Sequence, residues 1–421
     1  MPDPYFGAEF LESTVGSETV QELKAGVGMI VGTAPIGDVH TTPEERAKYI
    51  NKTIQIRRRE DIAAKFGAHR AGFTIPAALD AIFDQAGKKG VGVIDVVNVY
   101  DPDTHASVGD VTNLDIIGRF TASGEATGLK KAYEAYHRFG RFPKIIVCPG
   151  FAGLTGVRGE LEAICNRILA RTIIDAPVGV TMQQVLEARG PLGSFDLRSN
   201  SRRTCYCWPH VQVVDLETGE ERTDPYSARI AGVWLSSIQE WGYHHSPSNR
   251  PIVGIEDTTQ PVLYIPGDAS SDIQGLRGAG LITTEARHGK PPHTSGNRSA
   301  AYPTDPDMRN FLHVQFTEDM LIEEGLFFLD EQKDRIQTNQ SIELLEERMN
   351  LWLQSKTVGD NPTILDGQFR FDRKKTTVAT ATQGQFHYSL PWAPVGIGER
   401  LTTTQFIDLN LLANAYGLAA S

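Results

Sequence analysis

The chain has little sulfur, no long apolar run and no strong basic cluster. Four cysteines in 421 residues cannot frame a disulfide-dense fold. No stretch approaches the roughly 20 apolar residues that a membrane-spanning helix needs, so no membrane insertion is expected. The densest basic cluster, "QIRRRED" at Gln55 to Asp61, runs at once into acids. With 41 Lys plus Arg against 52 Asp plus Glu, the net charge is −11. That removes the global attraction that coating a nucleic acid requires, and no direct nucleic-acid partner is expected. The opening "MPDPYFGAEF" has neither a basic head nor an apolar core, so no secretory signal is expected and folding is expected in a cytoplasm.

The signatures of catalysis are missing too. "TCYCWPHVQVVD", Thr204 to Asp215, resembles a ligand set, with Cys205, Cys207 and His210 close together and His244 and His245 further on. Read as one strand to Val214, its side chains alternate: Cys205 and Cys207 face one way, Tyr206, Trp208 and His210 the other. Such a set does not converge on one ion, and no CxxC elsewhere completes four ligands. A buried sheet position is expected instead. "HGKPPHTSGNRSA", His288 to Ala300, brings His293, Ser295 and Asn297 together. It lacks the strained elbow that a serine nucleophile needs and reads as a loop. Gly150, Gly153, Gly156 and Gly159 recur every three residues between a strand and a helix. Without GK[ST] or G-x-G-x-x-G, this is a turn rather than a phosphate cradle. The adjacent acids Glu323 and Glu324, and Glu346 and Glu347, diverge on their helices as a solvated face does. No catalytic residue, cofactor or metal is expected.

What is present is ordinary globular material, 40% hydrophobic and 22% charged, long enough for two domains. "GVGMIVG" (residues 26–32) reads as a buried strand, followed by a Pro/Gly/Thr loop. Helices are expected near Glu60 to Gly67 and Ile75 to Gly87, where Ala78, Ile82 and Phe83 share a face. "GVGVIDVVNVY" (Gly90 to Tyr100) is β-branched on both faces, as a sheet covered by helices on both sides requires. The unit repeats. "PKIIVC" is a strand; "ELEAICNRILA" carries Leu161, Ile164, Cys165, Ile168 and Leu169 at helical spacing; "RTIIDAP" is a strand and "TMQQVLEARG" a helix. Strand–helix–strand repeats predict an α/β body with a mixed sheet flanked by helices.

After "GNRSAAYPTDP" (Gly296 to Pro306) the texture changes. Two helical stretches, "MRNFLHVQFTEDMLIEEGLFFL" and "QSIELLEERMNLWLQS", precede strand-like "GQFRFDRK" and "GQFHYSLPWAP". A smaller α+β C-terminal domain is expected, with extended arms at both ends that need a sheet edge to join. The divisions are an N-terminal arm at 1–24, a body at 25–272, a C-terminal domain at 273–395 and a C-terminal arm at 396–421.

The order of these stretches resembles the tail sheath proteins of contractile phages and of related contractile injection systems. "YFGAEFLES" and "GVGMIVGTAPIG" look like that family's arm and first strand. "PKIIVCPGF", "TIIDAPVGVT", "WPHVQVVDLETGE", "SARIAGVW", "WGYHHSPSNRPIVGI", "GNRS" and "APVGIGERLTTTQF" follow in the family's order. The resemblance implies a body often described as subtilisin-like but without catalytic residues, no added outer domains, and a C-terminal domain facing a tail tube. It implies a structural virion protein, assembled in the host cytoplasm as stacked hexameric rings that contract for genome ejection. Implied partners are neighbouring copies, the tube protein, and baseplate and terminator proteins. A headless device, pyocin-like or of type VI secretion, is the alternative, and an α/β hydrolase is a further one. The arm residues expected to join neighbours are Tyr5, Phe6, Phe10, Leu401, Phe406, Ile407 and Leu409. The expected tube contact is Glu343, Glu346, Glu347 and Arg348, on a helix whose Ile342, Leu345, Met349 and Trp352 stripe docks on its own domain.

Overall fold

A computed structural model of the chain describes residues 24–214, 219–408, 411, 415 and 416. Strand β1 (Val27–Gly32) is followed by the short α1 (Pro43–Arg46), β2 (Thr53–Ile56), α2 (Asp61–Phe66), α3 (Ile75–Phe83) and β3 (Val93–Asn98). Helices α4 (Asn113–Ile117) and α5 (Lys131–Phe139) lead to β4 (Ile145–Val147), α6 (Thr155–Ile168), β5 (Arg171–Asp175), α7 (Met182–Ala188) and β6 (Thr204–Cys207). Strands β7 (Val211–Val214) and β8 (Glu221–Asp224) precede α8 (Tyr226–Trp241), β9 (Asp257–Thr258) and α9 (Asp272–Gly278). Then come the hairpin β10 (Leu281–Arg287) and β11 (Lys290–Ser295), α10 (Leu312–Glu331) and α11 (Asn339–Thr357). Strands β12 (Ile364–Gly367) and β13 (Arg370–Phe371), helix α12 (Val378–Thr382), and strands β14 (Tyr388–Ser389) and β15 (Trp392–Pro394) complete the order.

An eight-stranded sheet in the order β11-β10-β6-β5-β4-β1-β3-β2 organises the body. Its inner strands run parallel, and β2 and β11 close the two edges antiparallel. Parallel strands need both faces covered, and alternation along each strand delivers that. Ile30, Ile94, Val147, Ile173, Cys205 and Cys207 pack under α3 and α8 on one face. Met29, Val31, Ile146, Cys148, Ile174 and Tyr206 meet α6 and α7 on the other. Burying each of these large side chains stabilises the fold by about 1.5–3 kcal/mol.

Three expectations change at this level. The stretch from Thr204 is not one strand: β6 ends at Cys207, and β7 belongs to a separate sheet in the order β8-β7-β9. Between them lies Pro209, which has no N–H to give to a ladder. The alternation itself holds from Cys205 to Trp208, with the two cysteines in one core and Tyr206 and Trp208 in the other. The His/Ser/Asn stretch contains the edge strand β11 rather than a loop. Its prolines at 291 and 292 sit where an edge tolerates them, and residues 249–252 bond along its outer side. The spaced glycines are not one turn either, because Gly156 and Gly159 lie inside α6.

The sheet also runs past residue 272. Strands β10 and β11 belong to the body, since β10 pairs in parallel with β6. The smaller core begins only within α10: Leu312, Phe316 and Met320 lie in the body's core, whereas Leu321 and Phe328 pack with Leu345, Met349, Trp352, Leu353 and Ile364. One helix thus belongs to both cores.

Candidate assembly surfaces

Helix α10 is riveted to the body by charge. Lys144 stands just before β4, Arg171 opens β5 and Arg203 just precedes β6, so three cations line the amino ends of neighbouring parallel strands. Asp319 accepts from Arg171 Nη2 at 2.8 Å and from Arg203 Nε at 2.9 Å, and Glu323 pairs with Lys144. The match is geometric: strands lie about 4.8 Å apart and residues four apart on a helix about 6 Å apart. The Arg171 guanidinium also stacks on Phe316, 3.8 Å from its centroid. Glu324 pairs with Lys356 at 3.1 Å, which joins α10 to the end of α11. Burial raises the Glu323 carboxyl and lowers the Lys144 ammonium from their ordinary values, and their mutual attraction opposes both shifts. The expectation of a solvated acidic face is therefore wrong for Glu323 and Glu324. They do diverge, but onto buried cations rather than into water.

The chemical candidates resolve into structure. Ser295 donates to Glu285 Oε2 at 3.1 Å, and His293 Nδ1 meets the Pro291 carbonyl at 2.7 Å, so each is engaged away from the other. All four cysteines are free and buried. Burial holds the Cys205 thiol up at about 12 and pushes the other three up as well. Cys148 Sγ donates to the Val31 carbonyl at 3.1 Å and Cys207 Sγ to Asp175 at 3.2 Å. Among the described residues no group of His, Cys, Asp and Glu could hold a metal ion, and no helix is long and apolar enough to cross a membrane.

The surface tells more. Leu401, Phe406 and Ile407 are 89%, 76% and 88% exposed on a segment without regular structure from 396 to 408. Among the described residues of one copy, little covers these apolar side chains. Tyr5, Phe6, Phe10 and Leu409 lie outside the described residues. On α11 the stripe docks as its spacing predicts: Leu345, Met349 and Trp352 are buried and Ile342 half-buried. Glu343 and Glu347 face outward beside exposed Leu344 and Leu351, with Arg348 half-buried. Glu346 differs, because its Oε1 accepts from the Phe371 backbone N–H at 2.5 Å and so ties α11 to β13. The exposed leucines escaped the sequence reading, which followed only the buried stripe; Leu344 and Leu351, seven apart, carry the signal of a second one.

No protein-family model matches the sequence. The chain is 31% identical to the tail sheath protein of Burkholderia phage BcepMu, over 84% of this chain and 86% of that protein. It is 25% identical to the tail sheath protein of Escherichia phage P2, over 98% of each. It is also 29% identical to a putative prophage major tail sheath protein of Pseudomonas aeruginosa, over 58% of this chain and 59% of that one. Among solved structures, the contracted helical sheath of the anti-feeding prophage shares its fold with a TM-score of 0.64 at 15% identity, covering 96% of this chain and 99% of that one. The contracted sheath of an extracellular contractile injection system, PVC, matches with a TM-score of 0.67 at 13% identity, covering 98% and 99%. At 31% identity to a tail sheath protein over 84% of its length, and with the fold of solved contractile sheaths, the chain belongs to the contractile tail sheath family, whose members are structural proteins.

Proposed function

We propose that this protein polymerises as stacked hexameric rings around a tail tube in the host cytoplasm, and that contraction of the array drives the tube through a host envelope for genome ejection. The observation that carries this reading is the exposed apolar C-terminal arm on a body whose eight-stranded sheet is open, with β2 at one edge. A heterologous contact that does not close on itself generates a helix of subunits. An arm adding to a neighbour's sheet supplies affinity through backbone hydrogen bonds without needing a pocket. The relatives in sequence come from phages and a prophage, which favours a phage tail over a headless device. The tube protein is the inner partner, met through Glu343, Glu347 and Arg348 of α11. Baseplate and terminator proteins cap the two ends, and the N-terminal arm with Tyr5, Phe6 and Phe10 joins a second neighbour.

The test is truncation. Removing residues 400–421 deletes no residue of the three buried cores. The shortened chain is expected to stay folded with parental melting and to form no tubes in negative-stain microscopy. Regular tubes from the shortened chain would overturn arm exchange.

A further inference from the structure

Two stretches that stand far apart in the chain, "GNRS" and "GIGER", meet at the base of the C-terminal arm. Arg298 Nη2 donates to Glu399 Oε2 at 2.7 Å across 101 positions, and Arg277 Nη2 lies 3.7 Å from Glu399 Oε1. The Arg298 and Glu399 side chains are only 19% and 25% exposed. Arg298 is oriented before it meets the carboxylate: its guanidinium lies 3.6 Å from the Phe311 centroid and 4.6 Å from that of Tyr302. A planar cation stacked in this way gives up little freedom in forming the pair. A second tie lies just upstream, where His313 Nε2 meets the Val395 carbonyl at 3.2 Å.

These two ties bracket Gly396 and Gly398, the residues in the segment with the most backbone freedom. The clamp and the start of the arm border one open cleft of about 780 Å³, lined by Arg277, Arg298 and Glu399 together with residues 400–403, Asp268, Gln274 and Tyr302. Residues 396–407 are exposed and Asp408 half-buried, so what sets Glu399 apart is its two ionic partners rather than burial.

We propose that Glu399, clamped by Arg298 and Arg277, is the fixed root of the C-terminal arm, so that an arm reaching a second copy of this chain pivots at residues 400–404 and not at the paired glycines. This rests on the arm-exchange reading above and adds where the compliance sits. A pivot beyond the clamp keeps the departure point of every arm constant relative to its body. Neighbours then stay in register while their bodies rotate.

Spin labels test the root without any assembly. The natural thiols are buried, so labels go only to introduced sites: Ala269→Cys paired with Ile397→Cys for the root, or with Thr404→Cys for the arm. In the monomer the root pair is expected to give a narrow distance distribution and the arm pair a broad one. Glu399→Gln is expected to broaden the root pair while leaving melting unchanged. In unlabelled protein the same substitution should raise the concentration needed for polymerisation about 5-fold, equivalent to about 1 kcal/mol. A root distribution that is broad already in the parent, or that does not change in Glu399→Gln, overturns the fixed root. Failure of arm exchange would show separately, as tubes from the chain truncated at 400, with the root distances untouched.

Discussion

Replacing Asp319 with alanine tests the link between body and C-terminal domain. Its carboxylate neutralises Arg171 and Arg203 and also accepts from Gln315 Nε2 at 3.1 Å. Arg203 is 18% exposed and can turn toward water, so its share of the loss is small. Arg171 is 1% exposed and cannot. Burial lowers its pKa to about 10 even with Asp319 beside it, but a guanidinium does not give up its proton in a protein, so the charge stays once its partner has gone. Leaving one member of a buried ion pair uncompensated costs about 3–5 kcal/mol. At about 2–4 °C per kcal/mol for a cooperative unit of this order of size, melting should fall by about 10 °C. Differential scanning calorimetry at pH 7 reads this directly. Asp319→Leu combined with Arg171→Met removes both buried ions and should recover most of the loss, because the desolvation cost goes with them. A single variant melting within about 2 °C of the parent, or a double variant no better than the single, would refute the reasoning.

The second prediction concerns pH. His313 is buried and neutral, with Nε2–H donating to the Val395 carbonyl and Nδ1 accepting from Asn297 at 3.0 Å, and burial lowers its pKa from 6.5 to about 4. As pH falls the unfolded chain takes up this proton first, so stability is full above about pH 6.5 and declines toward pH 4, by about 3 kcal/mol. His244 is shifted in the same direction, chiefly by burial, and adds with the same sign. Urea midpoints at pH 7 and pH 4.5 should differ accordingly, and His313→Gln should shrink the difference. The third concerns the outer face of α11: Glu343→Lys with Glu347→Lys should change stability by no more than about 0.5 kcal/mol and lower the yield of sheath assembled around a tube. Parental yield in reconstitution would place the tube contact elsewhere.

The body was legible because its signals are local. β1, β3, β4 and β5 are β-branched stretches buried on both faces, and α3, α6 and α7 carry apolar residues at helical spacing between them. What escaped is non-local. β10 joins the sheet beside β6, a partner 75 residues earlier, and nothing within "LITTEAR" announces it, so the domain boundary fell too early. Glu323 and Glu324 looked solvated because adjacent charges on a helix usually are. Their burial depends on Lys144 and Lys356, distant cations that no periodicity can foresee. The end of β6 was foreseeable, since Pro209 within an expected central strand argues against continuing it. The stripe on α11 was read correctly for the side that docks. Which of its acids reach solvent depended on Phe371, a backbone donor on a short strand.

The charges on α10 also bear on how a sheath transmits force. If the array gains a few kcal/mol per subunit on contraction, the scale of one good contact patch, that gain does work only if each subunit moves as a body rather than yielding inside. Pulling α10 off the sheet uncovers Leu312, Phe316 and Met320 of the body's core, at about 1.5–3 kcal/mol each, while the ions at Asp319 and Glu323 regain water as they part. Internal yielding therefore costs at least as much as contraction releases. Turning an extended arm at exposed residues 400–404 breaks no pair among the buried residues. The cheaper motion is rotation of whole subunits about their arms, which is rigid-body movement in the sense of domain and subunit rotations. A subunit that had packed α10 with leucines instead would resist separation equally in every direction along the groove. Paired ions with defined geometry also resist sliding, because moving the helix by one turn would set Asp319 against Lys144 and leave Arg171 without a partner.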